Sequence, residues 1–224
     1  MQARKAANSL TPSISEIEPG LFIGNAGSSH DLKTLRDNGI SAIVSLESVR
    51  SCYWASKAYR EIIPEERHLF IACVDTSVQD LLQHMSDACD FIDRMLASVQ
   101  PHLSSTTSES SENVEHTQRG GILVHCGKGI SRSGTIVVAY LMRKHQMSLN
   151  DVLKLVQEKR KVKPSVAFME QLDIWEKVKY EVWEDAEKMT AKPPYQEYLD
   201  KRKELISSRL NGPWPYYIDL AFGG

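Results

Sequence analysis

The chain is short of cysteine, of long apolar runs and of excess charge, and each shortage disfavours a class of protein. Its 224 residues hold four cysteines, Cys52, Cys73, Cys89 and Cys126. None forms a CxxC pair, and no Cys/His spacing fits a zinc finger, so neither a disulfide-stapled secreted fold nor a zinc module is expected. The longest apolar run, Thr135 to Met142, falls far short of the roughly 20 residues that span a bilayer. The first fifteen residues lack the apolar core of a secretory signal, and residues 1–16 are expected to be a flexible arm. The 27 basic residues nearly balance 29 acidic ones, for a net charge of −2, which disfavours a dedicated nucleic-acid binder. The expectation is a soluble protein of the cytoplasm, with the nucleus as a second compartment, and no membrane or nucleic-acid partner. In such a protein a cysteine is more readily catalytic than structural.

What is present is enough apolar material, 42% of residues, to bury a sizeable core. Pro19-Gly20 reads as a turn, followed by a short strand, Leu21–Gly24. Residues 30–38 read as a helix capped by Gly39. Two β-branched or apolar runs, 41–46 and 69–74, read as strands. The period of Leu81, Leu82, Met85, Ala88, Cys89, Ile92, Met95 and Leu96 predicts a helix over about 80–98. Residues 100–119 are rich in Ser and Thr, have no hydrophobic period, and are expected to be a disordered insertion. A buried strand, 122–124, follows at once, so the insertion lies inside a domain. Apolar helices are then expected over 133–144, from a Ser148 cap to before Pro164, over about 168–188, and over 195–210. An apolar, aromatic tail, Pro213–Ile218, follows. Strands interleaved with helices, then helices alone, predict an α/β domain with a small central sheet flanked by helices.

The most informative segment is Cys126-Gly127-Lys128-Gly129-Ile130-Ser131-Arg132-Ser133, between the strand ending at His125 and an apolar helix. A loop of this length turns its backbone N–H groups toward one point, and Gly127 and Gly129 are expected to permit unusual φ angles there. The following helix aims its positive end at the same point. Arg132 can chelate two oxygens of an oxyanion. The field that holds an anion also favours the thiolate of Cys126. The cysteine is therefore built as a nucleophile toward a dianionic group. His125 is expected to position it through a side-chain-to-backbone hydrogen bond, and Ser133 to donate to the sulfur when the thiolate leaves.

The arrangement His125-Cys126-x5-Arg132-Ser133 resembles the signature of the cysteine-dependent protein tyrosine phosphatases. Pro19-Gly20-Leu21-Phe22-Ile23-Gly24-Asn25, Ala139-Tyr140-Leu141-Met142, and Lys163-Pro164-Ser165 with Phe168, Gln171 and Leu172 are similar to patterns of the small atypical dual-specificity phosphatases. Ser165 stands where that family usually has asparagine. The resemblance covers about residues 17–180. It implies a mixed sheet of four to five strands, a catalytic domain over 17–184 and an extension over 185–224. It also implies a phosphocysteine mechanism that needs no metal or cofactor. The family places an acid after the strand that precedes the long helix, which corresponds to Asp75. Asp80 is the second candidate, and its simpler reading is a helix N-cap. Cys73 and Cys89 read as core residues, with a disulfide from either to Cys126 as the alternative.

The resemblance implies a phosphoprotein substrate, with phosphotyrosine and phosphoserine or phosphothreonine both admitted. Phosphoinositide and RNA 5′-phosphatases of the same mechanism are alternatives. A loop whose only lysine is Lys128, and the lack of a basic stripe, disfavour both. A phosphate-binding module without turnover is a third reading. The extension is expected either to pack back on the domain or to offer a surface for a protein partner.

Overall fold

The computed structural model describes residues 11–98 and 120–210. Strands β1 (Ile14–Glu18), β2 (Leu21–Asn25), β3 (Ile40–Glu47), β4 (His68–Ala72) and β5 (Gly121–Cys126) form one mixed sheet in the order β1-β2-β5-β3-β4. β1 runs antiparallel to β2; the other pairings are parallel. β5 is thus the central strand. It is buried along its whole length, as is β2, which fits apolar runs covered on both faces.

Side chains alternate across the sheet and feed two cores. Ile23, Val44, Leu46, Ile122 and Val124 face a large core. Phe22, Ile43 and Leu123 face a smaller one with Leu35, Trp54, Tyr59 and Ile63. Short helices α1 (Ala26–His30), α2 (Leu32–Asp37) and α3 (Lys57–Arg60) belong to the connections around β3. The large core is closed by α4 (Leu82–Ala97), α5 (Arg132–His145), α6 (Leu149–Lys159) and α7 (Val166–Lys177). Residues 133–142 of α5 are all buried, as the apolar run of this helix requires. Trp175 is fully buried and donates its indole N–H to the Ala139 carbonyl at 3.1 Å, which locks α7 to α5. A last helix, α8 (Pro193–Leu210), packs against α7. Among the described residues no helix is long and apolar enough to cross a membrane.

Several expectations change. Of the arm expected over 1–16, Ile14–Glu16 belong to β1, and residues 1–10 lie outside the described residues. The tie is the turn at Gly20, whose φ of +81° closes the β1–β2 hairpin. The expected helix over 30–38 is two helices, broken at Asp31, whose side chain caps the second by accepting from the Thr34 N–H. The helix expected to reach about residue 188 stops at Lys177. Lys179 and Tyr180 adopt positive φ, and the Tyr180 N–H closes on the Trp175 carbonyl at 3.0 Å. No Gly or Pro marks that stop in the sequence. An isolated pairing of Trp183 with Ala191 then leads into α8. The Ser/Thr-rich insertion and the aromatic tail lie outside the described residues.

Candidate active site

β5 delivers Cys126 to the C-terminal edge of the sheet, where parallel α/β sheets present their ligand sites. The chain then turns through 127–131 into the N-terminus of α5. The turn depends on Gly129, at φ +67°. A Cβ there would lie 2.5 Å from the Gly24 carbonyl oxygen and 2.6 Å from Arg160 Nη2. Gly127 is different from expectation: its φ is ordinary, and a Cβ would meet nothing closer than Arg132 Nη2 at 3.6 Å. Arg160 fastens the loop from behind, donating Nε–H to the Gly129 carbonyl at 2.8 Å and reaching Ser13 and Ser15 of the β1 region. Lys128 and Ile130 are exposed at the loop's rim.

The Cys126 side chain lies at the floor, with the residue only 2% exposed. Its Sγ lies 3.3 Å from Ser133 Oγ and receives the Gly129 N–H at 3.3 Å. Burial alone would push this thiol up. The hydrogen bonds from the Ser133 side chain and backbone, the Arg132 charge and the Ile130 N–H outweigh it and hold the thiol below its ordinary value. At the other buried thiols desolvation wins, even at Cys73, which Arg132 also reaches. Burial pushes Cys73 up to about 11 and Cys89 up to about 12. All four cysteines are free.

Arg132 begins α5 and divides its donors. Nη1 donates to the carbonyls of Leu46 at 3.0 Å and Cys73 at 3.1 Å, which fixes the plane of the guanidinium. Its Nε is buried and has no hydrogen-bond partner among the described residues. A buried donor left over on a clamped fork is the arrangement that an incoming oxyanion satisfies. Glu47 lies near; burial raises its pKa, and the Arg132 charge opposes that.

His125 is fully buried; a hydrogen bond to the Cys126 backbone acts on its ring, as expected, and a second anchor comes from β3. Nε2 pairs with Ser45 Oγ at 2.7 Å, and the same hydroxyl meets His68 Nε2 at 2.8 Å. Nδ1 lies 4.0 Å from Glu47 Oε1. Burial, then neighbouring cations, lowers His125 to about 3 and His68 to about 4. Both rings are therefore neutral, joined through one hydroxyl, and His125 does not serve as a cationic acid.

Asp75 follows β4 and is exposed at the mouth, where its Oδ1 accepts the Ser131 hydroxyl at 3.1 Å. Asp80 is 1% exposed and turned away. Its oxygens accept the Gln83 N–H at 3.2 Å and the Tyr195 hydroxyl at 2.9 Å, so it serves the first turn of α4, although the N-cap position itself is Leu81 and not Asp80. Sequence reasoning passed over Ser45, Arg160 and Gln171 as working parts. Gln171 Oε1 accepts the Leu81 and Leu82 N–H groups at 2.8 and 3.0 Å, and its Nε2 donates to the Gln79 carbonyl at 2.8 Å. The signal for Ser45 was there: a polar residue in the middle of a strand buried on both faces.

The comparisons agree with this geometry. Residues 21–178 match the family model "Dual specificity phosphatase, catalytic domain". The chain is 32% identical over 170 residues to the dual specificity protein phosphatase MPK-4 of Drosophila melanogaster, covering 74% of this chain and 37% of that protein. It is 31% identical over 166 residues to dual specificity protein phosphatase 1B of Arabidopsis thaliana, covering 73% of this chain and 82% of that protein. The chain thus spans well under half of the fly protein and most of the plant one. Among solved structures it superposes on the human tyrosine phosphatase-like serine/threonine/tyrosine-interacting protein with a TM-score of 0.58 and 27% identity, over 74% of this chain and 96% of that one. The chain belongs to the dual specificity phosphatases of the protein tyrosine phosphatase superfamily and carries their catalytic domain.

Proposed function

We propose that this chain hydrolyses phosphate monoesters on proteins, at tyrosine and at serine or threonine, through a phosphocysteine. The observation that carries the reading is the convergence on Cys126. A buried thiol held low by Ser133, backbone N–H groups and Arg132 lies beside a buried guanidinium N–H that has no partner among the described residues. The Cys126 thiolate attacks phosphorus in line, forming S–P as the ester P–O bond breaks. The bond pair stays on the departing oxygen, which takes a proton from Asp75. The loop N–H groups and Arg132 hold the equatorial oxygens as charge redistributes. A water, giving its proton back to Asp75, then attacks phosphorus. The S–P pair returns to sulfur, where the Ser133 hydroxyl donates to the thiolate. Ser131 holds Asp75 over the loop, and His125, through Ser45, steadies the strand end.

The catalytic unit runs over residues 17–184, supported by the matched range 21–178. A protein substrate is supported by the relatives, which are named protein phosphatases, and by the exposed rim of Lys128, Ile130, Val74 and Asp75. A reducing compartment, cytoplasm or nucleus, suits a nucleophile that must stay a thiolate. The test is turnover of an aryl phosphate with acid-quench trapping. Wild type releases phosphate and shows one phosphoryl group on the peptide containing Cys126, and Cys126→Ser shows neither. Binding of a phosphopeptide without release of phosphate by wild type would overturn the reading in favour of a non-catalytic module.

A further inference from the structure

The loop over 73–81, which carries Asp75, is fixed from an unexpected side. It leaves the edge strand β4, and Asp75 and Ser77 are exposed. Within itself the loop makes three bonds, the Val74 N–H to Gln79 Oε1 at 3.0 Å, the Gln79 N–H to the Thr76 carbonyl at 3.2 Å and Gln79 Nε2 to the Asp80 carbonyl at 3.1 Å. The middle of the loop is gripped by α8, which lies outside the matched range 21–178. Arg202 Nε–H donates to the Val78 carbonyl at 2.7 Å, and Arg209 Nη2–H donates to Ser77 Oγ at 2.8 Å. The Tyr195 hydroxyl donates to Asp80 Oδ2 at 2.9 Å. These three contacts span residues 77–80 and begin two positions after Asp75.

The gripping helix is itself anchored. Tyr195 is 2% exposed and Tyr198 is 8% exposed. Tyr195 meets Trp183 edge-on at 5.4 Å and stacks on Tyr198 at 6.2 Å. The Lys192 N–H and ammonium donate to the Val182 and Val178 carbonyls at 2.9 and 3.0 Å. An anchored helix thus commits two guanidinium groups and a phenol to a loop with few bonds of its own. An exposed loop with so few internal bonds opens easily, so external contacts decide how often its carboxyl stands over the phosphate loop.

We infer that α8, through Arg202 and Tyr195, is a positioning element for the general acid. The C-terminal extension then sets the geometry of proton donation by Asp75 without touching substrate. This rests on the reading of Asp75 as the acid. An extension that merely packed on the domain would alter stability but not the dependence of rate on the leaving group.

The experiment measures kcat/KM for aryl phosphates whose phenols run from acidic to weakly acidic. A working acid makes that dependence shallow in wild type, and Asp75→Asn steepens it. Arg202→Met, which keeps the stem, and Tyr195→Phe, which keeps the ring, should each cost about three- to tenfold on the poorest leaving group, the size of one lost hydrogen bond. The best leaving group should change little. Arg202→Lys should recover part of the loss. In an Asp75→Asn background the same substitutions should add nothing further. An equal loss across the series, no loss at all, or a further loss in the Asp75→Asn background would overturn the inference while leaving Asp75 as the acid. A wild-type slope in Asp75→Asn alone would overturn both. Thermal unfolding of Tyr195→Phe, expected to stay cooperative, separates positioning from collapse of the helix.

Discussion

Two loops meet over Cys126, and they are held by opposite means. The phosphate loop, 126–132, is a strand-to-helix turn whose parts are contiguous. β5 enters it, α5 leaves it, and its N–H groups point inward because the chain has no other way round Gly129. The Asp75 loop is an edge connection held by residues from about 50 to 130 positions away: Ser131, Gln171, Tyr195, Arg202 and Arg209. The first is built to bind and stabilise a fixed charge, which demands a rigid cradle. The second delivers and recovers a proton at different leaving groups, a task for a part that is placed but not buried. The comparison locates rigidity where the anion sits and adjustability where the proton moves.

The largest effect that sharpens this contrast is Arg132→Lys. An ammonium cannot both hold the Leu46 and Cys73 carbonyls and present a fork to phosphate. The expected loss in kcat/KM is about 10²–10³. It should be the same for every leaving group, in contrast to substitutions around Asp75. A loss that grew with the leaving group's basicity would merge the two loops into one function.

A smaller effect is expected from Gly129→Ala. The new Cβ would meet the Gly24 carbonyl at 2.5 Å at a φ that disfavours side chains. Denaturant unfolding should show a loss of about 1–3 kcal/mol. An alanine at Gly127, where φ is ordinary, should cost far less. Equal costs would mean that the loop's rigidity does not rest on Gly129.

The smallest effect lies under the phosphate loop. His125 and His68 are held at about 3 and about 4, below the ordinary 6.5. Between those values the unfolded chain binds more protons than the folded one. Their contribution is therefore complete above about pH 6.5 and is lost as pH falls toward 4 and then 3. Unfolding measured across that window should show stability declining, and His125→Asn should flatten the decline. An unchanged slope would remove the buried histidine pair from the support of the phosphate loop.

The same contrast explains what the chain's residues disclosed before any coordinates. The phosphate loop was legible because its chemistry sits in consecutive positions, and strand, glycine, arginine and helix all carry local signals. The central strands and the α4 and α5 helices were legible from their apolar runs and periods. β1 was not, because Ile-Ser-Glu-Ile-Glu is a half-exposed edge segment with little apolar content. The end of α7 was not, because its stop relies on positive φ at Lys179 and Tyr180 rather than on glycine or proline. Asp75 could be placed only by resemblance, and its supports on α8 could not be placed at all. Nothing in a local pattern reveals that Arg202 reaches Val78, a contact made only once the helices have packed.

The most direct test of the central claim is the pH dependence of Cys126 alkylation by a small uncharged haloacetamide. The rate follows the thiolate, so its inflection reports the thiol's pKa in the folded protein. The account predicts an inflection below that of a free cysteine. It also predicts a rise in Ser133→Ala, which loses the side-chain donor to Sγ. An inflection at or above the free value, or one indifferent to Ser133, would contradict it.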